Sequence, residues 1–167
     1  MQQAITAVLA GCGSISRAWL TAIQQMPDVQ IVGFVDLFPN VAQERAAEFG
    51  WTEAAIGADL PAMLEQTRPD CVFDCTVPAS HTDVTLTALA HGCHVLGEKP
   101  LADSMENARK AVAAAEAAGK TYAVIQNRRY DPNLRRLCDF LATGAIGPLT
   151  TVDADFYIGA HFGGFRD

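Results

Sequence analysis

Short apolar runs that stop at a glycine or an acid alternate along this chain with longer amphipathic stretches. Ala4 to Ala10 lacks a polar face and halts at Gly11, which predicts a strand buried on both sides. Val29 to Val35, ending at Asp36, repeats the pattern, as do Cys71 to Cys75, Cys93 to Gly97 and Thr121 to Gln126. Ala54 to Ile56 gives a weaker signal. Between these runs the sequence predicts helices over Ser14 to Met26, broken by Pro27-Asp28, and over Pro39 to Phe49 before Gly50. Further helices are predicted from Asp59, a suitable N-cap, to Gln66, from Ser80 to His91, and from Ser104 to Ala118 before Gly119. Repeated strand-helix units with short connections imply an α/β fold, a doubly wound parallel sheet with helices on both faces.

The last part reads differently. After a predicted helix from Asn133 to Ala142 and the turn Gly144 to Pro148, Val152, Ala154, Phe156 and Ile158 alternate with Thr151, Asp153, Asp155 and Tyr157. That is the period of a half-buried antiparallel strand. The nine residues after Ile158 include three glycines and supply no partner strand. The expectation is a first domain over 1–125 and, over 126–167, a linker helix with the first strand of an incomplete α+β domain. The alternative is an edge strand that folds back on the first sheet or pairs with another subunit.

Composition narrows the function. The 167 residues are half hydrophobic, and 12 Lys and Arg against 19 Asp and Glu leave a net charge of −7, with no basic face for a phosphate backbone. Nucleic acid is not an expected partner. No apolar run is long enough to span a membrane. Leu9-Ala10-Gly11-Cys12 imitates a lipoprotein cleavage site, but no Lys or Arg precedes it. The five cysteines are Cys12, Cys71, Cys75, Cys93 and Cys138, an odd set in apolar stretches. They are expected to be buried free thiols of a cytoplasmic protein. Cys71 and Cys75 have neither a second pair nor a histidine at zinc-finger spacing, so core packing is favoured over zinc and no metal site is expected.

The candidate chemistry lies where the predicted strands end. Gly11-Cys12-Gly13-Ser14-Ile15-Ser16 is a glycine fingerprint with Ser16 in place of its third glycine. Gly11 permits the tight turn, Gly13 lets the backbone approach a pyrophosphate, and the helix N-terminus supplies free N–H groups. A chance glycine turn is the alternative, but an acid, Asp36, ends the next strand. Asp36 can accept both ribose hydroxyls of an adenosine, and its charge would repel a 2′-phosphate. NAD is therefore expected, with NADP possible. Cys75-Thr76-Val77-Pro78-Ala79-Ser80-His81 leaves the fourth strand at its ligand-binding end, where His81 either bonds the cofactor or caps and packs. Gly97-Glu98-Lys99-Pro100 delivers an acid and an amine to the same edge.

Gly11 to Ile15, Asp36, Thr76 to His81, Glu98-Lys99-Pro100, Arg128-Arg129-Tyr130-Asp131-Pro132 and Ile146-Gly147-Pro148-Leu149 together resemble the glucose-fructose oxidoreductase/inositol dehydrogenase/MocA family in order and spacing. Phe162 to Asp167 resembles a segment that some members carry early in a second domain. The resemblance implies a longer two-domain enzyme, with a Rossmann NAD(P)-binding domain followed by an open antiparallel sheet that forms the substrate wall and often the oligomer interface. It assigns cofactor contacts to Gly11, Cys12, Gly13, Ser14, Ile15 and Asp36. The remaining contacts fall to Thr76, Val77, Pro78, His81, Glu98, Lys99 and Asn127. Lys99 is the implied catalytic lysine, orienting and helping to deprotonate a substrate hydroxyl, with Arg128 beside it on the substrate side. A solvated, ion-paired face is the alternative for Arg128 and Arg129, and the favoured reading for Arg135 and Arg136.

Members of the family also carry an Asp and a His one helical turn apart, and these 167 residues contain no such pair; His161 is not placed to substitute. The expectation is a chain that binds the dinucleotide with an incomplete catalytic set. It would be the first part of an oxidoreductase moving hydride between nicotinamide and a sugar, cyclitol or related polyol, homo-oligomeric when whole. An imine or dihydrodiol reductase, or a regulatory dinucleotide-binding module, is the alternative.

Overall fold

A computed structural model describes residues 4–155 and 157, and the chain divides into two compact units, Met1–Gln126 and Asn127–Asp167. The first unit runs β1 (Ile5–Ala10), α1 (Ser16–Ile23), β2 (Val29–Val35), α2 (Pro39–Glu48), β3 (Ala55–Gly57) and α3 (Leu60–Thr67). It continues with β4 (Cys71–Asp74), α4 (His81–Ala90), β5 (His94–Gly97), α5 (Met105–Ala118) and β6 (Tyr122–Val124). The strands form one sheet in the order β3-β2-β1-β4-β5-β6, and every pairing is parallel. The chain winds outward from β1 in one direction, then returns to start again at β4. The carboxyl ends of β1 and β4 therefore flank the point where strand order reverses, which is where such sheets open a crevice.

The alternation of side chains along β1 explains why it lies in the middle. Ala7 and Leu9 enter one core with Trp19, Leu20 and Ile23 of α1 and Ala42 and Ala46 of α2. Val8 and Ala10 enter the other with Leu60, Met63 and Leu64 of α3, Ala88 and Leu89 of α4 and Ala115 of α5. Ala7, Val8 and Leu9 are each completely buried. Burying a side chain of leucine size contributes about 1.5–3 kcal/mol, so a continuous apolar run gains more at the centre than at an edge.

Capping residues set the helix starts. Asp59 accepts the Ala62 N–H at 2.7 Å, as its sequence position predicts, and the Ser104 hydroxyl accepts the Asn107 N–H at 3.2 Å. The helix predicted from Ser14 begins at Ser16, because Gly13, Ser14 and Ile15 are used to turn the chain. In the second unit, α6 (Pro132–Ala142) starts at Asp131, whose Oδ1 accepts the N–H groups of Asn133 and Leu134 at 2.8 and 3.2 Å.

Two expectations are corrected. Residues 151–155 and 157 are exposed and form no strand, and Phe156 and Ile158 lie outside the described residues. Alternation prepares a strand, but without a neighbour to take its N–H and C=O groups there is nothing to hold it extended. Of the five free cysteines, Cys12, Cys71, Cys75 and Cys93 are buried, as expected, whereas Cys138 on α6 is exposed. Burial, reinforced by nearby Asp36, pushes the Cys12 thiol up to about 12, and burial beside Asp70 and Cys93 does the same for Cys71. These thiols stay protonated and shielded. A disulfide reagent at pH 8 should therefore modify one thiol, Cys138, in the native chain and all five after unfolding. Rapid native modification of a second cysteine would contradict the packing described.

Candidate functional site

The site is built on the turn between β1 and α1. Gly11 adopts φ +86°, and a Cβ at this position would sit 2.6 Å from the Cys75 carbonyl carbon and 2.7 Å from the Thr76 nitrogen. The turn is bound on both flanks: the Gly11 N–H donates to the Val35 carbonyl at 2.8 Å, and the Cys75 N–H to the Ala10 carbonyl at 2.7 Å. Cys12 is buried, so its side chain belongs to the core beneath the turn. Its N–H donates to Asp36 Oδ2 at 2.9 Å, which makes Cys12 part of the support for Asp36.

Gly13, Ser14 and Ile15 are exposed, and among the described residues their N–H groups have no acceptor. A Cβ on Gly13 would meet nothing within 4 Å, so the lack of a side chain there keeps open space open. Ile15 precedes α1 without any side-chain cap, leaving the positive end of the helix dipole uncompensated. Unpartnered amides at an uncapped helix start, beside a bare backbone, form an arrangement suited to an anion.

A cleft of about 350 Å³ adjoins this turn, lined by Gly11, Gly13, Asp36, Leu37, Phe38, Thr76 and Val77, among others. Leu37 is 83% exposed, Phe38 65% and Val77 64%. Three large apolar side chains left in the open around a carboxylate suit a ligand with a flat apolar ring and neighbouring hydroxyls. Asp36 is fixed for that task, because Oδ1 accepts the Phe38 N–H at 3.0 Å while Oδ2 holds Cys12. Each oxygen keeps a further lone pair. A larger hollow, about 650 Å³, lies around Asp70, His94, Lys120 and Thr121 at the opposite ends of the strands and contains none of these groups.

Beyond β4, Thr76 donates its N–H and its hydroxyl to Asp74 Oδ1 at 2.9 and 2.5 Å. Asp74 Oδ2 lies 2.9 Å from His81 Nδ1. His81 is only 2% exposed, with Nδ1 turned inward onto Asp74 and Nε2 buried without a partner among the described residues, so the expected direct contact from this histidine to a cofactor is corrected: neither ring nitrogen is exposed at the cleft. Val77 and Pro78 are exposed at the turn that Asp74 and His81 brace. At the end of β5, Glu98 Oε1 accepts the indole N–H of Trp19 at 2.8 Å, and Oε2 accepts the Lys99 N–H at 3.2 Å. Lys99 is exposed beside it. The Lys99-Pro100 peptide is cis. Asn127 and Arg128 belong to the second unit, in a short 3₁₀ turn over Asn127–Tyr130 where Asn127 Oδ1 accepts the Arg128 N–H at 2.9 Å.

Three participants escape a reading of the sequence alone: Arg45, Trp19 and Asp74. Arg45 reaches the underside of the glycine turn, Nε and Nη2 donating to the Cys12 carbonyl at 3.2 and 3.0 Å. Signals for them exist in retrospect. Arg45 falls one residue from Ala46 on the buried side of α2, and Asp74 is an acid closing an apolar strand; each needs a partner once buried.

A parallel sheet with this strand order, a glycine turn opening a helix at its reversal point and an acid ending the next strand define a dinucleotide-binding domain of the Rossmann type. The family described as "Oxidoreductase family, NAD-binding Rossmann fold", GFO_IDH_MocA, matches residues 5–126, and the chain belongs to it. It is 32% identical over 127 residues to D-glucoside 3-dehydrogenase of Escherichia coli K12, covering 76% of this chain and 36% of that protein. To 1,5-anhydro-D-fructose reductase of Ensifer adhaerens it is 31% identical over 163 residues, covering 95% of this chain and 47% of that one. Among solved structures, the WlbA dehydrogenase of Bordetella pertussis, in complex with NADH and UDP-GlcNAcA, superposes with a TM-score of 0.79 at 28% identity, over 86% of this chain and 41% of that one. The chain thus spans less than half the length of these relatives.

The two glycines should respond oppositely to the same change. Gly11→Ala forces a Cβ into the backbone of Cys75 and Thr76 at positive φ, and should destabilise the fold by about 2–4 kcal/mol in urea unfolding. Gly13→Ala meets open space and should stay within about 1 kcal/mol of the parent.

Proposed function

We propose that this chain is the cofactor-binding part of an NAD-dependent oxidoreductase acting on a hydroxyl-bearing carbon of a sugar, cyclitol or related polyol. The observation that carries the reading is the run of exposed, unpartnered amides at Gly13, Ser14 and Ile15, beside a cleft that Gly13 and Asp36 line. These amides would hold a diphosphate, and Asp36 the adenosine ribose, with Leu37, Phe38 and Val77 against the base. Asp36 favours NAD over NADP, because a 2′-phosphate would meet a carboxylate already fixed by two backbone N–H groups. A bound nicotinamide ring supplies the acceptor or donor of hydride.

The chain's own residues would do the rest. Lys99, exposed at the end of β5, can hold a substrate hydroxyl and take its proton, since oxidation of an alcohol removes a proton as well as a hydride. Glu98, pinned by Trp19, would contact the nicotinamide ribose. Asp74 and His81 brace the turn that presents Thr76, Val77 and Pro78. Relatives named as acting on a glucoside and on anhydrofructose support a carbohydrate substrate class. The buried free thiols support a cytoplasmic setting, and among the described residues no helix is long and apolar enough to cross a membrane. In the longer protein we expect a homo-oligomer formed through a C-terminal sheet.

Titration of NAD and NADP against the fluorescence of Trp19 and Trp51 should give about tenfold tighter binding of NAD. Tighter NADP would overturn the role of Asp36. Gly13→Ala should weaken NAD by about tenfold or more while leaving the fold intact. In the longer protein, Lys99→Ala should lower kcat by a factor of about 10²–10⁴ and leave NAD affinity unchanged; undiminished turnover would remove Lys99 from the chemistry.

A further inference from the structure

Arg45 is only 6% exposed, a rare position for a guanidinium, and α2 directs it under the β1-α1 turn. Its three nitrogens are all engaged. Nε and Nη2 donate to the Cys12 carbonyl at 3.2 and 3.0 Å, and Nη2 also to the Gly13 carbonyl at 3.3 Å. Nη1 donates to Glu48 Oε2, and Glu48 Oε1 accepts from Arg17 Nε of α1 at 2.8 Å. A buried guanidinium is costly unless each donor finds an acceptor, and here two of the acceptors are the inward carbonyls of the glycine turn.

Peptide planarity gives this contact its consequence. In a trans peptide the C=O of one residue and the N–H of the next point in opposite directions. Holding the Cys12 and Gly13 carbonyls inward therefore turns the Gly13 and Ser14 N–H groups outward, toward the cleft. The Ser16 hydroxyl adds a second inward hold, donating to the Gly13 carbonyl at 2.6 Å. A turn containing Gly13 has many other backbone states available, and each state that rotates these peptides removes donors from the cleft.

We propose that Arg45 is a positioning residue for the diphosphate cradle: by gripping the inward carbonyls of Cys12 and Gly13 it presents the Gly13 and Ser14 amides to a nucleoside diphosphate. This rests on the reading of the turn as a dinucleotide site. It also separates two roles within one cleft, because Arg45 acts on the phosphate end while Asp36 recognises the ribose.

The test is amide-detected NMR titration of the full chain with ADP and with adenosine, which lacks phosphate. For the parent chain, ADP should bind more tightly than adenosine and shift the Gly13 and Ser14 amides; an absence of ADP binding would sink the site reading itself. Arg45→Met should weaken ADP by about tenfold, leave adenosine within about twofold, and move the Gly13 and Ser14 amide signals of the free chain. Arg45→Lys, which keeps the charge and aliphatic stem but loses the planar fork, should fall between them, and it carries the test should the methionine variant fail to fold. With ADP bound by the parent, an unchanged ADP affinity in a folded variant, or equal losses for ADP and adenosine, would overturn the positioning role and leave the site standing.

Discussion

The close approach of two backbones at the centre of the sheet is the constraint on which the rest depends. β1 is followed by Gly11, which lies so near Cys75 and Thr76 that no Cβ fits between them. That contact joins the two halves of the sheet where strand order reverses, and it sets the depth at which the following turn sits. The groups proposed to meet a ligand lie around it: the amides of Gly13 to Ile15, the carboxylate of Asp36 and the β4-α4 turn at Thr76.

Around this contact, buried and half-buried polar side chains form pairs and networks, each holding a loop in place. Asp36 holds the N–H of Cys12, and Arg45 holds the carbonyls of Cys12 and Gly13. Asp74 holds Thr76 and is itself held by His81, and Trp19 holds Glu98. Loops expose backbone groups and are the mobile parts of a fold, so a binding edge composed of loops needs such braces to keep its geometry. Arg45, Asp74 and His81 lie buried behind the cleft, whereas Asp36 lines it.

Membership of the GFO_IDH_MocA family gives these braces a purpose. Residues 5–126 carry the NAD-binding Rossmann fold of the family, whose ligand edge is made of the loops that these contacts hold.

The order of elements was legible in the sequence because each rests on local chemistry. Apolar runs end at Gly11 and Asp36, Asp59 caps a helix from its own side chain, and Gly119 stops another, all within a few residues of the feature they determine. The glycine turn and its acid were legible for the same reason. The alternating segment at 151–155 forms no strand among the described residues because alternation is a local property, whereas a strand exists only when another chain segment accepts its hydrogen bonds. Tertiary structure alone decided that Arg45 would lie beneath Cys12, 33 positions away, that Trp19 would reach Glu98 across 79, and that His81 would turn inward to Asp74 instead of outward to a ligand. A buried polar group takes whichever partner the packing brings to it, and packing is a property of the whole sheet.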